Sequence, residues 1–442
     1  MEKDLSRRDF LKNAGLIGLG AGTLLSSVPW MSALAQENTS KTVGEKVRIG
    51  IIGPGSRGRF LMNFIKKNSK AEIVALCDIY QPSIDEALKI APKAKVYDDY
   101  RKLLEDKNID AVFITTPLYL HYPMAMDALD AGKDLYLEKS MAYNVAQCFD
   151  LYQKYKSTGR IFFVGQQRLF DPRYLKAMEM IHEGRFGEIQ AVRTFWFRNG
   201  SWRNKVSDPS LERLRNWRLY KEYSRGLLTE LGGHLLQVGT WAMQKLPEQV
   251  MGAGGITFWK DGREVWDNVS CIFSMDDGRR ITYESVISNK FYGLEEQIMG
   301  NLGTVEPEKG MYYYESGTKD GSPAKPAPGF MQMMTDVQNR IFEKLPFAGT
   351  SWEPEVAKDV KGNYIMGEDY KITTDGTQEA INAFIESVIT QKQPERIAEE
   401  CYYASAMVLL GYDAVEQGKI LTFPHEYRLN YLNHKHQAKQ TL

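Results

Sequence analysis

Val47-Arg48-Ile49-Gly50-Ile51-Ile52-Gly53-Pro54-Gly55-Ser56-Arg57-Gly58 is an apolar run that breaks into a glycine-spaced turn. Val47–Ile52 predicts a buried parallel strand, and Phe60 to Lys66 continues with helical periodicity. In Gly-x-Gly-x-x-Gly between a strand and a helix, each glycine has its own task. Gly53 permits the tight turn, Gly55 lets backbone approach a pyrophosphate, and Gly58 lets helix and strand pack closely. The helix start, with Ser56 and Arg57, offers unpaired N–H groups and a positive dipole end to phosphates. A second apolar run, Glu72 to Cys77, ends at Asp78, where a carboxylate can accept hydrogen bonds from an adenosine ribose. The arrangement predicts a dinucleotide site. Asp78 favours NAD, because a 2′-phosphate would meet its charge, while Arg57 and Arg59 leave NADP open.

Short β-rich runs alternate with helical patterns over 46–165, which predicts a doubly wound parallel sheet with crossover helices. Its strands are expected at Val47–Ile52, Ile73–Asp78, Ala111–Thr115, Asp134–Leu137 and Ile161–Val164. Ligands of such sheets bind beyond the carboxyl ends of the strands, so the loops after Ile52, Cys77, Thr115 and Leu137 face the cofactor. The pattern changes after Gly165. A helix at Tyr174–Glu183 precedes β-type runs at Ile189–Arg198, Gly255–Trp259, Val269–Ser274, Ile281–Val286 and Leu294–Met299, with a hairpin turn at Asp276-Asp277-Gly278. Residues 166–442 are therefore expected to form an α+β domain on a large open, mostly antiparallel sheet. Segment 303–372 reads as irregular. Helices return at Thr377–Gln391 and Glu399–Gln417, and these closing helices are expected to pack back on the first domain.

The chain opens with Ser6-Arg7-Arg8-Asp9-Phe10-Leu11-Lys12, a short apolar stretch from Ala14 to Leu25, and Ala33-Leu34-Ala35. Twin arginines, a Gly-rich apolar core and an Ala-x-Ala site describe a twin-arginine export signal over 1–35, cleaved after Ala35. Its core is short and broken by Ser26, Ser27 and Pro29, so it spans a bilayer poorly. The expected location is the periplasm or outside the cell, with the twin-arginine export machinery as a partner and no membrane association after cleavage. The chain carries 56 basic and 56 acidic residues. Losing the signal keeps it near neutrality, which gives nucleic acid or an anionic surface nothing to bind. Cys77, Cys148, Cys271 and Cys401 are far apart and read as core thiols, with a disulfide left open. No cluster has metal-site spacing.

Two strand ends carry further chemistry: Thr115-Thr116-Pro117-Leu118-Tyr119-Leu120-His121 and Leu135-Tyr136-Leu137-Glu138-Lys139-Ser140. With the glycine loop and Ala131-Gly132-Lys133, these segments make the chain resemble the glucose–fructose oxidoreductase / inositol dehydrogenase (Gfo/Idh/MocA) family over 46–300. The resemblance implies a Rossmann domain, a carbohydrate or polyol substrate, and cofactor contacts from Thr115, Thr116, Pro117, His121 and Glu138. In that family the Lys of a Glu-Lys-Pro motif reaches both substrate hydroxyl and nicotinamide. Lys139 holds that position, with Ser140 in place of the usual proline. A Lys at the carboxyl end of a strand beside a cofactor crevice also suits the stabilising of an alkoxide. Gln167 (toward cofactor) and Arg168 (toward substrate) follow the last Rossmann strand, where the family's chain crosses over. A homo-oligomer, dimer or tetramer, is expected.

Glu230 and His234 lie four residues apart in Leu228-Thr229-Glu230-Leu231-Gly232-Gly233-His234, on one face if the turn is helical. A carboxylate there can hold the imidazole's tautomer while the other nitrogen takes a proton from an alcohol. The family places an acidic residue, usually Asp, and a histidine at this spacing. Ahead of them accumulate Trp196, Trp202, Arg203, Asn216, Trp217, Arg218, Tyr220 and Tyr223. Trp and Tyr platforms with Arg and Asn suit sugar ring faces and hydroxyls. Trp202, Trp217, Arg218, Tyr223 and His234 are accordingly expected at the substrate.

The sequence thus predicts an NAD-dependent oxidoreductase of a sugar, glycoside or polyol, with Lys139, His234 and Glu230 catalytic. An exported enzyme would meet little free NAD, so the cofactor is expected to be tightly held. Two rivals share the fold. One is glycoside cleavage by transient oxidation, although the Tyr-Pro-Thr-His type segment of that branch is not found. The other is a non-catalytic sugar-binding protein, against which stand the retained Gly53, Gly55, Gly58, Asp78, Lys139 and His234.

Overall fold

The computed structural model describes residues 46–315 and 362–429. The export signal, its cleavage point and most of segment 303–372 lie outside the described residues.

The first unit runs β1 (Val47–Ile52), α1 (Ser56–Ile65), β2 (Ala71–Cys77), α2 (Gln81–Leu88), β3 (Lys95–Tyr97), α3 (Tyr100–Glu105), β4 (Ala111–Ile114), α4 (His121–Asp130), β5 (Asp134–Leu137), α5 (Val145–Thr158) and β6 (Phe162–Val164). The strands form a parallel six-stranded sheet in the order β3-β2-β1-β4-β5-β6. The order reverses between β1 and β4, which opens a crevice at their carboxyl ends. β1, β4, β5 and β6 are buried on both faces, so their apolar runs are continuous rather than alternating. Asn144 caps α5 by accepting from Gln147 N, and Gly132 (φ +69°) ends α4 in the left-handed region. The edge strand β3 was not expected. Only three residues long and largely exposed, it carries too little pattern to read.

The second unit begins with α6 (Pro172–His182) and β7 (Ile189–Phe197). It continues through α7 (Glu212–Arg215), α8 (Gly233–Met243), β8 (Gln249–Gly255), β9 (Asn268–Ser274), β10 (Arg280–Val286), β11 (Leu294–Gly300), β12 (Gly303–Glu306), β13 (Met311–Tyr314) and β14 (Asn363–Tyr364). After α9 (Thr377–Thr390) and α10 (Ile397–Gln417), β15 (Leu421–Thr422) completes the sheet. Among the described residues this sheet has nine strands, ordered β14-β13-β12-β11-β7-β10-β9-β8-β15. It is mixed but mostly antiparallel, with β7 and β10 the parallel pair. The hairpin at Asp276–Gly278 joins β9 to β10, with Gly278 at φ +85°.

Two expectations about this sheet are corrected. The expected strand Gly255–Trp259 is instead a turn, because the Asp267 carboxylate accepts the N–H groups of Thr257, Phe258 and Trp259. The strand lies just before it, at β8. Segment 303–372 is not irregular throughout, since β12, β13 and β14 fall within it.

Helices α9 and α10 lie against the first unit. Phe384 of α9 packs edge-on against Phe113, Tyr136 and Phe163, one each from β4, β5 and β6. Edge-to-face pairs of this kind add to the burial of the rings themselves. Gln393 hydrogen-bonds both the N–H and the carbonyl of Phe162, on β6. All four cysteines are buried and unpaired. Among the described residues no helix is long and apolar enough to cross a membrane.

Candidate active site

A cleft of about 1210 Å³ runs from the carboxyl ends of β1, β2, β4 and β5 to the face of α8. Gly53, at φ +84°, makes the turn after β1, and a Cβ there would stand 2.8 Å from Thr116 Cγ2. A Cβ on Gly58 would sit 2.7 Å from Thr115 Oγ1 and 2.8 Å from the Gly53 carbonyl. Gly58 is therefore a packing glycine beneath the loop, outside the cleft lining. Gly55, by contrast, caps α1, and a Cβ there would come no nearer than 3.9 Å to the protein, at Gly53 O, which leaves room for the close approach of a phosphate. Thr115 donates its hydroxyl to Gly53 O at 2.6 Å and so holds the turn from the neighbouring strand.

Asp78 sits at the mouth of β2. Its carboxylate accepts from Tyr80 N at 2.8 Å, and burial pushes its pKa up. Arg57 donates to Glu138 at 2.7 Å, tying the glycine loop to the end of β5. Arg59, Arg198 and Arg215 also line the cleft, and among the described residues their guanidinium groups form no ion pair. Arg59, in the first turn of α1, donates from Nη1 to Pro54 O, and a cation beside an open helix N-terminus fits a dinucleotide's pyrophosphate, as the glycine cradle fits its backbone approach. His121 lines the cleft as well, and its ring nitrogens, 2.6 Å from Ser140 O and 2.9 Å from Thr116 O, brace the two strand-end loops against each other.

Lys139 donates from Nζ to the Glu230 carbonyl at 2.6 Å, and burial lowers its pKa. The Lys139–Ser140 peptide is cis, although no proline follows it. Glu230 and His234 come from the π-turn Leu228–Gly232 and the first turn of α8. Both line the cleft, but the expected hold of one on the other is corrected. Glu230 accepts from Arg218 Nε at 2.8 Å and Ser224 Oγ at 3.3 Å. The Arg218 and Lys139 charges, which lower its pKa against the effect of burial, draw the carboxylate away from the imidazole. His234 Nδ1 has no hydrogen-bond partner, and Trp196 lies 6.4 Å from the imidazole, centroid to centroid. Burial, then the charges of Arg168, Lys139 and Arg57, hold the His234 pKa well below the ordinary imidazole value. A neutral imidazole in the same cleft as Lys139 can receive a proton from a hydroxyl.

Trp202, Trp217, Arg218 and Gln167 line the cleft where sequence places them. Arg168 does not. It is buried, 2.9 Å from Glu296, with its guanidinium over Tyr174 and Trp196, so it supports Trp196 from behind. Tyr223 is also corrected: it packs at a tilt of 56° against Tyr119, 5.0 Å between centroids, and leaves the lining to that residue. Asn204, Arg215 and Tyr119 were not anticipated. The Arg-rich run Arg213–Arg218 was the available signal for Arg215, and the loop after Thr115 was the signal for Tyr119; Asn204 carried none.

Comparisons with known proteins agree with this architecture. Residues 47–166 match the family model described as "Oxidoreductase family, NAD-binding Rossmann fold", and residues 174–306 match "GFO/IDH/MocA C-terminal domain". The chain is similar to the alpha-N-acetylgalactosaminidase of Shewanella oneidensis, 28% identical over 235 residues, covering 49% of this chain and 50% of that protein. It is also similar to a glycosyl hydrolase family 109 protein of Parabacteroides distasonis, 33% identical over 199 residues, covering 42% and 43%. The chain spans about half the length of these curated relatives. Among solved structures it resembles a levoglucosan dehydrogenase complex with NADH (TM-score 0.66, 16% identity, 86% of this chain and 100% of that one). It likewise resembles a myo-inositol 2-dehydrogenase from Lactobacillus plantarum (TM-score 0.63, 19% identity, 86% and 100%). At these identities the structures speak for the fold alone.

Proposed function

The chain belongs to the Gfo/Idh/MocA oxidoreductase family, with its NAD-binding Rossmann domain, and from that premise we propose that it oxidises a hydroxyl of a sugar, glycoside or polyol. The observation that carries the reading is the meeting of Lys139 and His234 in one cleft with the glycine loop on one side and Trp196, Trp202 and Trp217 on the other. NAD, when bound, supplies the hydride acceptor. His234, kept neutral by burial, takes the hydroxyl proton, and Lys139 stabilises the charge that develops on the alkoxide oxygen. Glu230 holds Arg218 at the rim, and its backbone carbonyl aims Lys139. The tryptophans present flat apolar surfaces to a sugar ring.

A second reading has a specific observation in its favour, the relatives named glycosyl hydrolase family 109 proteins. Oxidation of one carbon of a glycoside would acidify the neighbouring C–H; loss of that proton would expel the aglycone, which leaves as the alcohol, and addition of water followed by reduction of the carbonyl would close the cycle with no net oxidation. Such a cycle suits an exported protein that carries its cofactor with it. The twin-arginine signal over 1–35, cleavage after Ala35, a periplasmic location and self-association belong to this proposal. The experiment is a panel of aryl glycosides given to the native protein without added nucleotide. Oxidised glycoside among the products supports the dehydrogenase, free sugar supports the glycosidase, and neither product from any glycoside or polyol, with NAD added, overturns both.

A further inference from the structure

The stretch between β7 and α8 belongs to the second unit yet crosses the cleft of the first. Within it Arg218 meets Glu230, and three residues earlier Arg215 reaches the mouth of β2, where its guanidinium lies 5.0 Å from the ring centroid of Tyr80. Tyr80 is the residue whose N–H binds Asp78, the expected partner of the adenosine ribose. Arg215, Asp78 and Tyr80 line one continuous wall of the cleft.

The backbone that carries Arg215 is held firmly. The Arg215 carbonyl accepts from Asn204 Nδ2 at 3.0 Å. The buried Asn216 accepts from Asn204 N at 2.6 Å and donates to Asn204 O at 3.1 Å and Glu212 at 2.9 Å. Arg203 anchors the same region through Glu212 and Asp261. With its backbone held and its guanidinium already over the Tyr80 ring, the side chain gives up less freedom when a ligand arrives than an unplaced arginine would. Its charge also lacks an ion-pair partner among the described residues, so no internal carboxylate has to be displaced.

We infer that Arg215 is a cofactor-retaining residue: with Tyr80 it closes over the adenosine end of the dinucleotide and slows its escape. A planar guanidinium stacks on flat rings and hydrogen-bonds phosphate or ribose oxygens at once. The second unit thereby takes part in holding the nucleotide whose reactive end it also supplies with substrate. The inference rests on the proposed NAD chemistry.

The test is the release rate of bound NADH, followed by fluorescence as excess NAD displaces it, in wild type and in Arg215→Ala, Arg215→Lys and Tyr80→Ala. Arg215→Ala should release NADH about tenfold faster or more. Arg215→Lys, which keeps the charge but not the plane, should recover only part of that. Tyr80→Ala should resemble Arg215→Ala, and thermal melting of the nucleotide-free variants shows whether each is folded. Equal release rates in wild type and folded variants overturn the inference, as does full recovery by lysine. A change confined to NADPH also overturns it, because that marks a 2′-phosphate site. A wild-type protein that binds no nicotinamide nucleotide overturns the proposed function itself.

Discussion

Lys139 reaches across from the end of β5 to donate to the backbone carbonyl of Glu230, 2.6 Å away in the turn that leads to His234. One hydrogen bond therefore fixes the separation between the two groups that carry the proposed chemistry. Because the acceptor is backbone, substitution of the Glu230 side chain leaves that bond available.

Glu230→Gln separates the electrostatic role of Glu230 from its positional one. The Glu230 charge raises the pKa of Lys139 against the lowering by burial. Without it the Lys139 pKa falls further, so less of the lysine is charged at a given alkaline pH. The alkaline limb of kcat/KM should move to lower pH, while bound nucleotide is retained. An unmoved limb would show that Lys139 is not the group titrating there.

His234→Ala should lower turnover about 10²–10⁴-fold in a folded protein. In the wild type, burial and the Arg168 and Lys139 charges depress the His234 pKa, so kcat/KM should show no acid limb at the ordinary histidine value. The unfolded chain takes up a proton near pH 6.5 that folded His234 does not, so stability falls as pH drops below about 6.5. His234→Gln should reduce that acid sensitivity, as urea midpoints measured between neutral and mildly acid pH would reveal.

Asp78→Ala should weaken NAD on the order of tenfold or more through the lost ribose acceptor. It should also relieve repulsion of a 2′-phosphate, so the NAD/NADP affinity ratio moves toward NADP. Calorimetric titration with both nucleotides measures it; a ratio unchanged or moved toward NAD rejects the role given to Asp78.

Arg168→Ala tests whether that residue supports the site or touches substrate. Removing it leaves Glu296 buried without its cation, at a cost of about 3–5 kcal/mol. The melting temperature should fall sharply, and Arg168→Met combined with Glu296→Gln should restore most of it. A raised KM with unchanged melting would return Arg168 to the substrate.

The nucleotide half was legible because its chemistry is local: Gly53, Gly55 and Gly58 act within one turn, and Asp78 ends the next strand. β8 was harder to place. Gln249–Gly255 is glycine-rich because a Cβ on Gly252 would lie 2.5 Å from Ser270 O, so close packing erased the alternating signal. Glu230 and His234 were found by their spacing, but their partners were not, since Arg218 and Lys139 arrive from other elements. Arg215 and Asn204 line the cleft only through tertiary placement, which no periodicity encodes.

The packing of Phe384 on Phe113, Tyr136 and Phe163 has a consequence in time. A first domain ordinarily folds while the rest of the chain is still being made. Here one face of the first sheet receives its cover from α9, far toward the carboxyl end. The ribosome has nearly finished before that sheet can be sealed and its crevice set. A chain truncated before α9 should therefore fail to hold NAD even though every residue of the glycine loop is present.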